Sequence, residues 1–243
     1  MTVAVVTGGT RGIGRAISLR LAREGVTVVM VYRNDDQAAQ AALSDVAKLQ
    51  PDAQIEKVDV SDAQAVDDLA ARVHARHGGA EILVHAALRS GRPARKTHEV
   101  PVQAWREDLE TNLTSAFLVS RAFLPAMIDG GHGRVVLIGS LAMRGERGRV
   151  AYSVAKNGLV GLARTMAQEY ARNGITANVV SPGFIDAGAF LKLDDAIKDV
   201  ARKRVPSRAL GTAEQVADAV WYLVGPQAGY TTGQVLEVDG GAR

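Results

Sequence analysis

Tyr152 and Lys156 are separated by four positions in Tyr152-Ser153-Val154-Ala155-Lys156, a spacing that puts both side chains on one face of a helix. Twelve residues earlier, Ile138-Gly139-Ser140 ends an apolar run on a hydroxyl. These three types fit the proton half of a carbonyl reduction. A free phenol titrates near ~10 and is a poor acid at neutral pH, but a neighbouring ammonium stabilises the phenolate and strengthens it. A serine hydroxyl can bond the carbonyl oxygen and polarise it. Tyr152 is therefore assigned as general acid, Lys156 as its pKa modifier and Ser140 as carbonyl binder. No side chain supplies a hydride, so this chemistry demands a cofactor.

A place for one lies at the other end of the chain, in Thr7-Gly8-Gly9-Thr10-Arg11-Gly12-Ile13-Gly14. Glycines between a strand and a helix allow a tight turn and let backbone N–H groups approach a pyrophosphate at the helix N-terminus. A strand before, a helix after and a βαβ unit around it are the context that makes such a loop meaningful. Charge selects the dinucleotide. The second strand ends in Val31-Tyr32-Arg33-Asn34 with no carboxylate at its tip, whereas a ribose without the 2′-phosphate calls for an acidic residue there. Arg33 and Arg11 can instead grip a phosphate dianion through charge-assisted bonds. NADPH/NADP+ is the expected cofactor.

Elements able to position these groups alternate along the chain. Val3–Thr7 is an apolar run stopped by Gly8, as a strand buried on both faces should be. Ile13, Ile17 and Leu21 share a helical face within Gly12 to Glu24. Strands are expected at Val26–Val31, Ile55–Val58, Ile82–Ala86, Arg134–Ile138, Ile175–Val180 and Val235–Val238. Helices are expected at Ala38–Leu49, Ala63–Arg76, Val102 to Ile128 (with Pro125 in its last turns), Tyr152–Arg172 and Thr212–Leu223. The last opens on Thr212 with Gln215 three residues on, a capping box. Alternating strands and helices imply right-handed crossovers. The expectation is one α/β domain over residues 1–243, doubly wound and Rossmann-type, with a parallel sheet of about seven strands and helices on both faces.

Composition removes other classes. With 47% hydrophobic and 23% charged residues the chain is an ordinary globular sequence, long enough for a sizeable core. It has no cysteine, so disulfides, thiolate catalysis and thiolate–metal sites are excluded, and no metal is expected. The start shows no signal-peptide pattern, and no apolar run approaches the ~20 residues of a membrane span; a cytoplasmic location is expected. A net charge of +3, scattered, gives no concentrated face for nucleic acid. Arg89, Arg92, Arg95 and Lys96 form one basic loop, and Arg144, Arg147 and Arg149 another. They are either solvated surface or the rims of a pocket for an anionic substrate.

The spacing Thr-Gly-x-x-x-Gly-x-Gly, with Tyr152-x-x-x-Lys156 and Ser140, resembles the short-chain dehydrogenase/reductase family. The resemblance runs from Val3 to Val238-Asp239-Gly240-Gly241. Asn173-Gly174-Ile175-Thr176-Ala177-Asn178-Val179-Val180-Ser181-Pro182-Gly183-Phe184-Ile185 is most similar to the 3-oxoacyl-[acyl-carrier-protein] reductase-like ketoreductases. That resemblance implies cofactor contacts from Gly8, Thr10, Arg11, Gly12, Ile13 and Gly14, from Arg33, and from Asp59 and Val60 around the adenine. Ala86, Pro182, Gly183 and Ile185 would line the nicotinamide end, with Tyr152 and Lys156 holding the ribose. It also implies that Asn112 supports a water relay from the lysine, and that the protein is a homotetramer.

Two departures stand out. Where the family has Asn-Asn-Ala-Gly, this chain has His85-Ala86-Ala87-Leu88, so a sheet-bracing amide is lost and bulk is added. His85 either packs at the strand end or titrates near the site. The family's threonine after Phe184-Ile185 is replaced by Ala187. Substrates consistent with the resemblance are a 3-oxoacyl thioester, with an acyl carrier protein as one way of presenting it, or a small or polyketide-derived ketone. Ile128-Asp129-Gly130-Gly131-His132 lacks the basic residues that dock a carrier protein, and Arg172 lies one place from the other docking position. Residues 187–206 read either as an apolar lid or as a helix packed on the body. Two other functions remain: a non-catalytic NADP(H) sensor on the same fold, and enoyl thioester reduction, whose enzymes space the tyrosine and lysine more widely.

Overall fold

The computed structural model describes residues 2–89, 91 and 93–242, leaving aside the side chains of 189 and 192. Seven strands form one sheet: β1 Val3–Thr7, β2 Thr27–Tyr32, β3 Gln54–Lys57, β4 Ile82–His85, β5 Gly133–Ile138, β6 Ile175–Pro182 and β7 Val235–Val238. Their order is β3-β2-β1-β4-β5-β6-β7, and every pairing is parallel. The helices are α1 Gly12–Arg23, α2 Asp36–Ala47, α3 Ala63–His77, α4 Val102–Leu109, α5 Ser115–Asp129, α6 Val150–Tyr170, α7 Asp195–Arg204 and α8 Ala213–Val224.

Alternation along each strand builds two cores. Val3 and Val5 face one layer, where Leu69 of α3, Phe123 of α5 and Leu159 of α6 pack. Ala4 and Val6 face the other, against Ile17 and Leu21 of α1 and Val220 of α8. Both faces are therefore covered, which is why the strands read as continuous apolar runs rather than alternating ones. Thr7 pairs with His85, His85 with Leu137, and Ile138 with Val180. That register brings the residues after β1, β4, β5 and β6 to one edge of the sheet, where ligand crevices open in such folds.

The structure changes some expected boundaries. The helix expected over Val102 to Ile128 is broken by a π-helical turn, Glu110–Thr114. Side chains cause the break: the Asn112 amide donates to the Asp108 carbonyl at 3.0 Å and the Ser115 hydroxyl to the Thr111 carbonyl at 2.6 Å. Both carbonyls belong to the i−4 ladder, which slips by one residue where side chains occupy it. α6 starts at Val150, so Tyr152 sits in its first turn. The capping box of Thr212 and Gln215 is formed. Residues 187–206 hold a 3₁₀ segment, Gly188–Lys192, followed by α7.

Candidate active site

β5 ends at Ile138, and Ser140 follows it in extended conformation, its oxygen accepting the Ala142 N–H at 3.2 Å. One turn apart on α6, Tyr152 and Lys156 approach from the adjacent layer. Lys156 is buried and donates to the Ile138 carbonyl at 2.7 Å, so the helix is pinned to the strand that presents Ser140. Burial pulls the Lys156 ammonium down to about 8. The Tyr152 phenol is pushed above its ordinary value, chiefly by burial, with the Ser140 hydroxyl and Arg149 opposing and Glu146 reinforcing. The ammonium of Lys156 lies 5.9 Å from the Tyr152 ring centroid and is aimed at the strand carbonyl. Ser140 and Arg149 both work against the effect of burial on the phenol in this arrangement.

The altered segment after β4 proves to be a fully bonded network. Thr7 Oγ1 accepts the N–H groups of Ala86 and Ala87 at 3.2 and 3.1 Å and lies 3.0 Å from His85 Nδ1. His85 Nε2 lies 3.2 Å from Ser115 Oγ, whose proton is committed to Thr111. The tautomer follows: Nε2–H donates to Ser115, and Nδ1 accepts from Thr7. Burial first, and then the Lys156 charge, lower the imidazole to about 3, so it is neutral at working pH. His85 is thus a packed and satisfied strand-end residue that braces β1 to the π turn. Thr7 and Ser115 carry this network and went unread in the sequence, although Thr7 opens the glycine motif and Ser115 lies four residues past Thr111.

Asn112 is buried inside the π turn, and its side chain is committed to backbone. Its Oδ1 accepts the Arg89 N–H at 3.0 Å, and its amide donates to the carbonyls of Arg89 and Asp108 at 3.2 and 3.0 Å. The side chain therefore clamps the loop after β4 beside the site.

On the cofactor side, the glycine loop leaves no room for side chains. Gly8 has φ +66°, and a Cβ there would lie 2.9 Å from the Ala86 carbonyl oxygen. A Cβ on Gly14 would sit inside contact distance of the Gly8 carbonyl. The Ser18 hydroxyl stitches the turn to the carbonyls of Gly9 and Gly14 at 3.0 Å each. Thr10 is buried, Ile13 half-buried, and Gly12 faces Gly188, so the segment after β6 crosses the loop. The two arginines expected to hold the phosphate stand nearby on exposed side chains. Arg11 pairs with Asp35 at 3.0 Å, and Arg33 with Asp59 at 3.6 Å. Asp59 also accepts from Ser61, and Val60 beside it is buried. This cradle, with two cations and a backbone no side chain obstructs, fits a phosphorylated dinucleotide.

Past β6, Gly183 donates to Val238 at 2.9 Å, and a Cβ on it would collide with Asp239. Gly211 donates to Phe184 at 2.9 Å and accepts from Asp186 at 2.8 Å, which holds Pro182-Gly183-Phe184-Ile185 in place. Ile185 itself is bridged to Gly211 in parallel fashion. Ala187 offers no hydroxyl.

A cavity of about 150 Å³ opens beside Tyr152, with apolar walls from Pro93, Val100, Pro101 and Val150. Both basic loops do rim it: Arg89, Arg95 and Arg149 are among its lining, while Arg144 is tied to Glu237 and the Ala242 carbonyl. Arg92 lies outside the described residues.

Comparison with known proteins agrees with this geometry. A family model described as enoyl-(acyl carrier protein) reductase matches residues 8–243. The chain is 36% identical over 242 residues to the 3-oxoacyl-[acyl-carrier-protein] reductase FabG of Escherichia coli (strain K12), covering 98% of this chain and 96% of that one. It belongs to the short-chain dehydrogenase/reductase family. Within that family it is also 37% identical over 240 residues to the reductase MabA of Mycobacterium avium, covering 98% of this chain and 88% of that protein. The crystal structure of a single-site variant of actinorhodin polyketide ketoreductase with NADPH superposes with a TM-score of 0.92 at 33% identity, covering 99% of this chain and 96% of that one. In this chain the network around His85 ties the end of β4 to Thr7 and Ser115.

Proposed function

We propose that the protein is an NADPH-dependent ketoreductase that converts a ketone, either a 3-oxoacyl thioester or a small or polyketide-derived ketone, to a secondary alcohol. The observation that carries this reading is the assembly of Ser140, Tyr152 and Lys156 on one sheet edge, between the glycine loop and the cavity. Gly8, Thr10, Arg11, Gly12, Ile13 and Gly14 hold the pyrophosphate end, with Arg11 and Arg33 on the 2′-phosphate and Asp59 and Val60 at the adenine. Ala86, Pro182, Gly183 and Ile185 face the nicotinamide. Bound NADPH supplies the hydride. Ser140 orients the carbonyl, Tyr152 gives its proton to the oxygen, and Lys156 holds ribose and favours the phenolate left behind. Asn112 supports the site by fixing the turn through which a water relay runs.

Tyrosine and lysine four apart favour ketone over enoyl reduction. The satisfied His85 network removes the reason to read this member as a non-catalytic sensor, since the changed segment is intact structure. The whole chain, residues 1–243, acts as one dinucleotide-binding and catalytic unit. No helix among the described residues is long and apolar enough to cross a membrane, and the reading places the enzyme in the cytoplasm. A homotetramer belongs to it too: Phe117 and Val154 are exposed on α5 and α6, and nothing lies within 4 Å of a Cβ built on Gly161. A carrier protein as donor of the thioester would have to dock without basic residues in Ile128–His132.

NADPH consumption should be followed with a bicyclic ketone, a 3-oxoacyl thioester and an enoyl thioester. The expected result is reduction of a ketone with NADPH preferred over NADH, and Tyr152→Phe at least ~100-fold slower. Consumption with the enoyl thioester alone, or a Phe variant as fast as the wild type, contradicts the reading.

A further inference from the structure

Arg149 is the residue just before α6, and its guanidinium carbon stands 4.6 Å from the centroid of the Tyr152 ring. That is closer than the 5.9 Å of Lys156 Nζ. Glu146 engages the guanidinium only loosely, at 3.6 Å, and about a third of the Arg149 side chain is exposed. The same residue lines the cavity beside Tyr152. Nothing in the family's tyrosine, lysine and serine set assigns a role to this position.

We propose that Arg149 is a second cationic group acting on Tyr152, stabilising the tyrosinate through the ring face and so making the phenol a stronger acid in ketone reduction and the tyrosinate base a more populated form in alcohol oxidation. The proposal rests on Tyr152 being the proton donor. A cation over an aromatic face is attracted by the ring's electron density, and it is attracted more once the ring carries a full negative charge. The proton leaves Tyr152 for the alkoxide oxygen that hydride addition creates, and the electron pair of the O–H bond stays on the phenolate. At that moment the charge facing Arg149 changes from zero to minus one.

The two cations differ in kind. Lys156 is held near 8 by burial, so its charge fades in mild alkali. A guanidinium stays protonated throughout the working range of an enzyme. Around Tyr152 the other groups are Ser140, which favours ionisation, and Glu146, which opposes it. Arg89 and Arg95 stand farther round the cavity from the loop after β4, and Asp108 from α4. Among the described charged groups, Lys156, Glu146 and Arg149 are those that meet the ring or perturb its titration. Arg149 therefore supplies the part of the tyrosinate stabilisation that survives above the lysine's titration.

The test uses the full-length enzyme and a matched pair, 1-tetralone with NADPH and 1-tetralol with NADP+, each over about pH 5.5–10. In the oxidation direction the acid limb of kcat reports conversion of Tyr152 to its base form. Arg149→Met is expected to move that limb up by about half to one pH unit, slowing oxidation at neutral pH about 3- to 10-fold. Reduction should fall less, because the acid is already protonated there. Arg149→Lys should restore most of the shift. Quenching of protein fluorescence by NADPH should be unchanged in both variants, as the cofactor cradle lies elsewhere. An acid limb that stays in place in Arg149→Met overturns the proposal. So does a loss that Arg149→Lys fails to recover while the limb is unmoved, because that marks a packing role. Failure of the underlying reading looks different: Tyr152→Phe would then keep its activity whatever Arg149 does.

Discussion

The two halves of the site are built in opposite ways. At the catalytic end, Lys156, His85, Asn112 and Ser115 are buried, and each is bonded to backbone or to a neighbouring side chain. At the proposed phosphate end, Arg11 and Arg33 are about half to two-thirds exposed, and each leans on a carboxylate that a bound phosphate would displace. The first half is assembled before any ligand arrives, so on the proposed function its residues should set the rate of the chemical step. The second is paired with carboxylates that would compete with a ligand, so on the proposed function its residues should set affinity. Substitutions should divide along the same line.

The largest effect is expected at Lys156. Lys156→Met should lower kcat by about 100-fold or more, within the range of acid–base contributions. Its stability should go the other way. The ammonium titrates near 8 when folded, against an ordinary 10.5, so below about pH 8 folding carries the cost of burying a charge. Removing that charge should raise Tm by a few degrees, even though the Ile138 carbonyl loses its donor. A variant that is both inactive and less stable would break the picture of a site where activity is maintained against stability.

His85 is the next test of the buried half, through pH. Its folded value near 3 lies below the ordinary 6.5. Between these values the unfolded chain binds a proton that the folded one does not, so stability falls as pH drops from about 6.5 towards 3 and is unaffected by this group above that range. The loss is about 2–3 kcal/mol by about pH 4.5, at ~1.4 kcal/mol per unit. Urea denaturation of His85→Asn at several pH values should show a flatter acid dependence. An unchanged slope would mean that the imidazole is not held neutral by its burial between Thr7 and Ser115.

This same contrast governs what the sequence made legible. Strands and helices could be read because the layers impose periodicity, and Ser140, Tyr152 and Lys156 stood out as candidates because their types, spacing and place after a strand suit one reaction. The π turn could not be read, since it arises from two side chains capturing the carbonyls of Asp108 and Thr111 rather than from a pattern of apolar residues. His85 was open between packing and titration because its partners, Thr7 and Ser115, are 78 and 30 residues away. Arg11 and Arg33 were visible as cations. Their carboxylates were not: Asp35 and Asp59 reach them only through the fold.

The exposed half should respond in KM. Arg33→Ser and Arg11→Ser are each expected to raise KM for NADPH about 5- to 10-fold, from the loss of one charge-assisted contact discounted for exposure. kcat should hold, and KM for NADH should hardly move, so the preference between the two cofactors narrows by the same factor. Steady-state kinetics with both cofactors measures this directly. A fall in kcat with an unmoved KM would erase the division between the two halves.

The smallest effect carries the most specific information. Asp35 holds Arg11 at 3.0 Å while capping α2 through the Ala38 N–H, also at 3.0 Å. An exposed ion pair is worth about 0.2–1 kcal/mol, and a phosphate bound to Arg11 must work against it. Asp35→Asn keeps the cap, because an asparagine oxygen accepts the same N–H, and removes only the competing charge. KM for NADPH should therefore fall about 1.5- to 4-fold, and the gain should shrink at high salt as screening weakens the pair in the wild type. NADH, which has no phosphate to present to Arg11, should bind as before. If Asp35→Asn instead weakens NADPH binding, the carboxylate is orienting the guanidinium for the phosphate rather than competing for it. The phosphate end would then be as pre-assembled as the catalytic one.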